Sequence, residues 1–250
     1  PDSHAGIFST TPINISIGKG QTAPNGASGE PAVSGDNRRV KLIAYSSLAS
    51  NLVNGDSNGV RDVFVWRRPG GSVPRELGRG YLRRVSIGRH GRQANGPSSD
   101  PSVDGSMTRR PRCVAFQSTA TNISQRDALP DSDIYVRDLR RRRTILVSVG
   151  VKGGATNPAL SGNCRKVLFE AGGKVYRARV GRGRAKQLGR GSEPDYSRDG
   201  RSITFVRADG HVVFLHGDRQ FRLGRGRSPH VSDYATGHGW AVAYNSDGNV

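Results

Sequence analysis

The densest run of chemistry-bearing side chains is Asp56-Ser57-Asn58-Gly59-Val60-Arg61-Asp62, where carboxylate and amide oxygens recur around a glycine. Hard cations such as calcium take oxygen ligands of this kind on a tight turn, so Asp56, Asn58 and Asp62 are the candidate ligands. The competing reading is a loop that closes on itself through hydrogen bonds to Asp56 and Asp62. A related stretch runs from Asp127 through Asp131 to Asp133, with Leu129 and Pro130 where the first has Asn58 and Gly59. It offers fewer oxygens and is the weaker cation candidate. Together with Asn54, these residues make two acidic loops suited to ligand binding. Neither matches the twelve-residue EF-hand pattern, and apart from calcium no cofactor is expected.

Nucleophilic chemistry has little support. Gly55-Asp56-Ser57-Asn58-Gly59 is formally a G-x-S-x-G string, but the nucleophile elbow needs a strand-to-helix turn, and here strand-like sequence lies on both sides. His211 and His216 are five residues apart on an expected strand, so they point to opposite faces and cannot share an ion. No Walker-type or Rossmann glycine string sits between a strand and a helix. No catalytic set emerges, and a non-enzyme is expected.

Charge is the other chemical resource. The chain carries 39 basic and 20 acidic residues in 250, a formal charge of +19, and 33 of its cations are arginine. Arg109, Arg110 and Arg112 form one cluster and Arg140, Arg141, Arg142 and Arg143 another. Such a balance suits an anionic partner: a cell-surface polymer, a nucleic acid or a membrane surface. The competing reading is an ordinary solvated basic surface. Aromatics are sparse among these arginines, which disfavours stacking of single-stranded bases.

What positions these residues is a repeat. A Pro-x-x-Ser/Asp turn followed by a β run begins at Pro31, Pro101, Pro158, Pro194 and Pro229, with spacings of 70, 57, 36 and 35 residues. Proline opens a short strand where its missing N–H costs little, and Ser or Asp accepts the hydrogen bonds of the turn. Apolar positions such as Val114, Phe116, Val167, Phe169, Ile203, Phe205, Ala241 and Ala243 are expected between adjacent sheets. A third strand is expected at 62–66, 133–137, 174–177 and 211–216, and a fourth at 83–87, 144–149 and 219–223. Four strands per copy make a blade, so the fold class is an all-β propeller of about five blades in one domain spanning 1–250. Residues 7–18 are expected to complete the last blade; the alternative is a fragment of a six-bladed ring. Turns joining first to second and third to fourth strands share one face, which gathers the arginines, Arg38, Arg39, Arg165, Arg198 and Arg201 among them. The acidic loops fall on the other.

Cys113 and Cys164 precede the second strands of consecutive copies, which leaves two readings, a disulfide across neighbouring blades or two isolated thiols. No apolar run approaches the ~20 residues of a membrane-spanning helix. The chain opens at Pro1 with no basic-then-apolar leader, so a targeting signal, if any, is expected outside it.

The stretch SEPDYSRDGRSITFVRADGHVVFL, Ser192 to Leu215, resembles the repeat of TolB-type propellers found in bacterial envelope proteins and beside many peptidases. The first two copies resemble a longer variant common in exported actinobacterial propellers. The resemblance implies an exported or cell-envelope protein, periplasmic or extracellular, built as a non-catalytic scaffold that binds a protein or an anionic surface polymer through one face. Two alternatives are an accessory propeller of a larger peptidase or polysaccharide-degrading enzyme, and a nonspecific binder of polyanions or nucleic acid.

Overall fold

Every strand among the described residues is antiparallel to its neighbours and next to them in sequence, as expected where Gly-rich turns punctuate β-branched and aromatic runs. The computed structural model describes residues 15–35, 40–68, 81–106, 109–127, 131–232 and 239–246. The first blade is β1 (Ser28–Val33), β2 (Leu42–Ser47), β3 (Asp62–Arg67) and β4 (Tyr81–Arg84). The second is β5 (Ser98–Val103), β6 (Cys113–Ser118), β7 (Asp133–Asp138) and β8 (Arg143–Leu146). An eight-stranded sheet follows: β9 (Ala155–Leu160), β10 (Lys166–Ala171), β11 (Lys174–Arg179), β12 (Arg182–Tyr196), β13 (Ser202–Arg207), β14 (His211–His216), β15 (Arg219–Val231) and β16 (Val242–Ser246).

That long sheet is three blades in series. The first part of β12 pairs with β11 as a fourth strand, and its second part pairs with β13 as the first strand of the next blade. β15 does the same between β14 and β16. The short repeat spacing of the last three copies leaves no room for a connecting loop, so the outer strand of one blade runs directly into the inner strand of the next. The architecture is an all-β propeller. Among the described residues the helical elements are single 3-10 turns at Lys19–Gln21 and Arg89–Gly91, and no helix is long and apolar enough to cross a membrane.

Cores lie between blades. Along β6, Val114 and Phe116 pack with Leu42, Val63 and Val65 of the first blade, while Cys113 and Ala115 pack with Val167 and Phe169 of the third. The period-2 alternation of a strand thus serves two different cores. Ile203 and Phe205 are buried as expected. Ala241 and Ala243 are not: both are exposed, since among the described residues β16 pairs with β15 alone and packs against no further sheet.

Each inner strand carries the same irregularity. The residue before each repeat proline has a positive φ: Glu30 (54°), Asp100 (46°), Asn157 (51°), Glu193 (54°) and Ser228 (49°). The pairing register shifts at that point in all five blades. A bulge places the proline where the ladder requires no donor. In the second to fifth blades the bulge N–H is taken up by the preceding blade. Asp100 donates to Glu30 Oε2 at 2.9 Å, Asn157 to Gln117 Oε1 at 3.3 Å and Ser228 to Glu193 Oε2 at 2.5 Å, and Glu193 donates to the Glu170 carboxylate.

The fourth strands of the first two blades begin two residues and one residue earlier than expected, at Tyr81 and Arg143. The fourth strand of the third blade, 182–190 of β12, had no sequence signal. Of residues 7–18, those at 7–14 lie outside the described residues. Ile15 packs against Tyr45 and Phe64 of the first blade, and its carbonyl accepts from Tyr45 Oη at 3.3 Å.

Cys113 and Cys164 form a buried disulfide, with Cα atoms 5.9 Å apart, that ties the second blade to the third across a sequence separation of 51. Constraining a loop of this length stabilises by about 4 kcal/mol in the chain-entropy account. Replacing both cysteines by alanine is expected to lower the urea-unfolding free energy by roughly that amount; an unchanged midpoint and slope would show that the blade interface holds without the crosslink.

Candidate polyanion-binding face

The acidic loops were the first candidate site, and the structure places a protein cation in the first of them. The Arg84 guanidinium, on β4, lies 2.8 Å from Asp56 and 3.1 Å from Asp62, in the position between the carboxylates where the sequence suggested a metal. Asn58 turns its nitrogen, not its oxygen, to Asp62 at 2.9 Å, and Ser86 Oγ donates to Asp62 at 2.5 Å. Asp62 is fully buried, and burial raises the pKa of Asp56 while Arg84 draws it down. The loop is closed from within. Ser57 is bonded to the Gln93 amide, and β3 rather than a helix follows it, so no nucleophile elbow forms. Asn54 is exposed on the same loop.

The second loop differs at one decisive position. Phe64 pairs with Arg84 in the first blade and Tyr135 with Leu146 in the second, so a leucine stands where the first blade has its arginine. Without that cation, Asp127 accepts from Tyr135 Oη and Asp133 from Ser148 Oγ. Burial, and then Asp127 against the opposing Ser148 hydrogen bond, pushes the Asp133 pKa up. Asp131 is exposed beside them, and residues 128–130 lie outside the described residues.

The arginines gather as their turns require. Three clefts follow one another between the first four blades, all on the face carrying first-to-second and third-to-fourth turns. The first, about 540 Å³, is lined by Arg67, Arg109, Arg110, Arg112 and Arg140. The second, about 740 Å³, takes Arg112, Arg141 and Arg143 from the second blade and Arg165, Lys166, Arg179 and Arg182 from the third. The third, about 440 Å³, takes Lys166, Arg177, Lys186 and Arg201, with His216 and the exposed Asp218 beside them. Arg142 turns instead to a wider recess on the rim, beside Arg137 and Arg184. Arg38 and Arg39, expected on this face, lie outside the described residues.

Asp138 organises the central turn. Its Oδ1 accepts the backbone N–H groups of Arg140 and Arg141 at 3.0 and 2.9 Å, and its Oδ2 pairs with Arg112 at 3.2 Å. At 3% exposure it is spent on holding these cations in place. Asp104 is likewise turned inward, its Oδ1 accepting N–H bonds from Arg112 and Cys113 at 2.7 Å each. Burial lowers the pKa of Lys166, with Arg177 and Arg179 adding to the effect, as expected where cations crowd without enough counter-charge. Arg198 departs from the expected face. Its guanidinium points into the propeller axis and donates to the carbonyls of Val103 at 2.6 Å and Val33 at 3.0 Å. His211 and His216 diverge as their spacing requires, toward Arg222 and Ser202 respectively.

No family model and no curated protein matches this chain. Solved structures do. An oligogalacturonate lyase in complex with manganese aligns at TM-score 0.51 and 11% identity over 91% of this chain and 68% of its own. A tricorn protease aligns at TM-score 0.45 and 14% identity over 82% of this chain, which spans 17% of that chain. The β-propeller domain of Cps50 (Swd1) from Myceliophteria thermophila aligns at TM-score 0.42 and 8% identity over 80% of this chain and 75% of its own. Likeness at such identity concerns the fold alone.

Two outcomes follow from the buried acids. Arg84→Gln leaves Asp56 and Asp62 facing each other without their cation and is expected to cost roughly 3–5 kcal/mol. Millimolar calcium should recover part of that loss in thermal melts and leave the native protein unmoved; a calcium-stabilised native protein would restore the metal reading. Asp104 is 2% exposed, and burial pushes its pKa up to about 6, against its N–H bonds and Arg112. A raised folded pKa means that stability from this group is full below about pH 4 and is lost as pH rises through about 6. Asp104→Asn keeps the acceptor and removes the charge. Its stability relative to the native protein should therefore grow between pH 4 and 7, by on the order of 2–3 kcal/mol; a pH-independent difference would mean that the two N–H bonds hold Asp104 ionised.

Proposed function

We propose that this chain is a non-catalytic, TolB-like propeller scaffold of an exported or cell-envelope protein, and that it binds an anionic partner through its arginine-lined face. The observation that carries the reading is the succession of three inter-blade clefts in which cations outnumber acids, with Asp104 and Asp138 turned inward. A propeller suits such a role because its turns present side chains from a frame of packed sheets. The buried Cys113–Cys164 disulfide supports an oxidising compartment, since disulfides persist in secreted and periplasmic proteins and are rare where thiols are kept reduced. Arginine supports a carboxylate- or phosphate-bearing partner, because its planar fork matches both groups bidentately.

The test is elution from heparin-agarose. Neutralising Arg140, Arg141, Arg142 and Arg143 to glutamine should lower the sodium chloride concentration needed for elution and cut affinity in solution by ~10-fold or more at low salt, with a shallower dependence of affinity on salt. Arg207→Gln removes one charge from the second-to-third turn of the fourth blade, on the opposite face, and should change elution little. An unchanged salt dependence in the quadruple variant would remove this face as the binding surface.

A further inference from the structure

We infer that the ligand of this face is a linear polyanion without bases, laid along the arc of all three clefts, and not a compact anion seated in one of them; the inference rests on the reading of this face as the binding surface. The clefts are continuous through shared walls: Arg112 lines the first and second, and Lys166 the second and third. A chain of anions passing from cleft to cleft meets a cation at each crossing. The volumes, about 540, 740 and 440 Å³, are of one order, as successive subsites for a repeating unit would be, and none is a deep pocket set apart from the rest.

The lining also selects against bases. Apart from Asn163 in the first and Cys164 and Gly181 in the second, the uncharged walls of the first two clefts are aliphatic, Leu42, Pro111 and Leu139 in one and Ile145 and Val180 in the other. Of the two rings in the third cleft, Tyr196 is buried to 5% exposure and His216 is engaged with Ser202 Oγ and stacked on Phe214. Single-stranded nucleic acids draw much of their affinity from aromatic platforms, and these clefts present guanidinium and ammonium groups on an aliphatic base instead. A polymer whose charges are carried by phosphates or by sugar carboxylates fits that chemistry. Each cleft alone is a weak site, and a chain that bridges them turns the second and third contacts into intramolecular ones.

The experiment compares chain lengths at fixed ionic strength. Tripolyphosphate is set against polyphosphate of ~10 or more units, digalacturonate against a galacturonate oligomer of similar length, and oligo-dT is matched in charge to the long chains. In at least one base-free series, affinity per chain should rise ~10-fold or more from short to long. Arg112→Gln combined with Lys166→Gln should abolish that gain while Arg207→Gln preserves it, with circular dichroism reporting that each variant is folded. The two series separate a phosphate from a carboxylate ligand. Equal affinity of short and long chains, or oligo-dT binding as tightly as the long base-free chains, overturns the inference. If the length gain is absent and the Arg140 to Arg143 variant still loses binding, the extended ligand fails and the binding face stands; if neither effect appears, both fail.

Discussion

The constraint that governs this molecule is that a four-stranded sheet of apolar strands has two faces and can cover neither by itself. The second strand of the second blade resolves this by sending alternate side chains to different neighbours, so Phe116 completes a core with the first blade while Ala115, one residue before it, completes another with the third. A strand with two obligations cannot slip by one residue without emptying both cores. That double commitment fixes blade order, and blade order fixes which turns share a face. The arginines lie together because the repeat places its first-to-second and third-to-fourth turns on one side, whatever their separation in sequence. Charge concentration is here a consequence of strand periodicity.

The inner strands impose a second condition. Five bulges with positive φ are costly one at a time, and in the second to fifth blades the preceding blade answers the displaced N–H. Further along, four repeats reach the axis at equivalent positions: Gly35, Gly105, Gly162 and Arg198. A Cβ on Gly162 would lie 2.4 Å from the Gly105 carbonyl oxygen and 2.3 Å from that of Arg198, so this approach requires glycine. Arg198 then crosses to the first and second blades. One residue of the fourth repeat thereby spans the inner strands at the arginine-rich end, where it also lines a cavity of about 400 Å³ with Asp195 and His230.

Much of this was legible in the sequence because the repeat writes its turns in residues with fixed conformational roles. Pro31, Pro101, Pro158, Pro194 and Pro229 marked every inner strand, and the positions of Cys113 and Cys164 pointed to one blade boundary. Other features were hidden for physical reasons. The outer strand at 182–190 reads RGRAKQLGR, with neither alternation nor β-branched residues, because it is held by pairing with β11 and buries little of itself. The closure of the acidic loop at 56–62 depends on Arg84, a strand residue more than twenty positions away, so no local motif reveals it. Ala241 and Ala243 repeat the core pattern, but a pattern cannot say whether a neighbouring sheet is there to receive it. Arg198 has the same residue type and turn position as the face arginines, and only the glycines opposite it draw it inward.

Two buried acids of the arginine face show how folding and binding share the same residues. Asp104 and Asp138 sit beside Arg112, yet both are nearly fully buried and committed to backbone N–H groups. A carboxylate used in this way orders the turn that carries the cations while offering little of its charge to solvent, so the positive potential of the clefts survives its presence. The disulfide acts at the same place. Cys164 lines the central cleft, and its partner Cys113 donates to Asp104, so the covalent tie between the second and third blades also fixes one wall of that cleft. Burial lowers the pKa of Lys166 first, and the repulsion of Arg177 and Arg179 lowers it further. Their arrangement persists because the blade interface beneath them is apolar and crosslinked, and an anion between the blades would relieve a repulsion that the fold already bears.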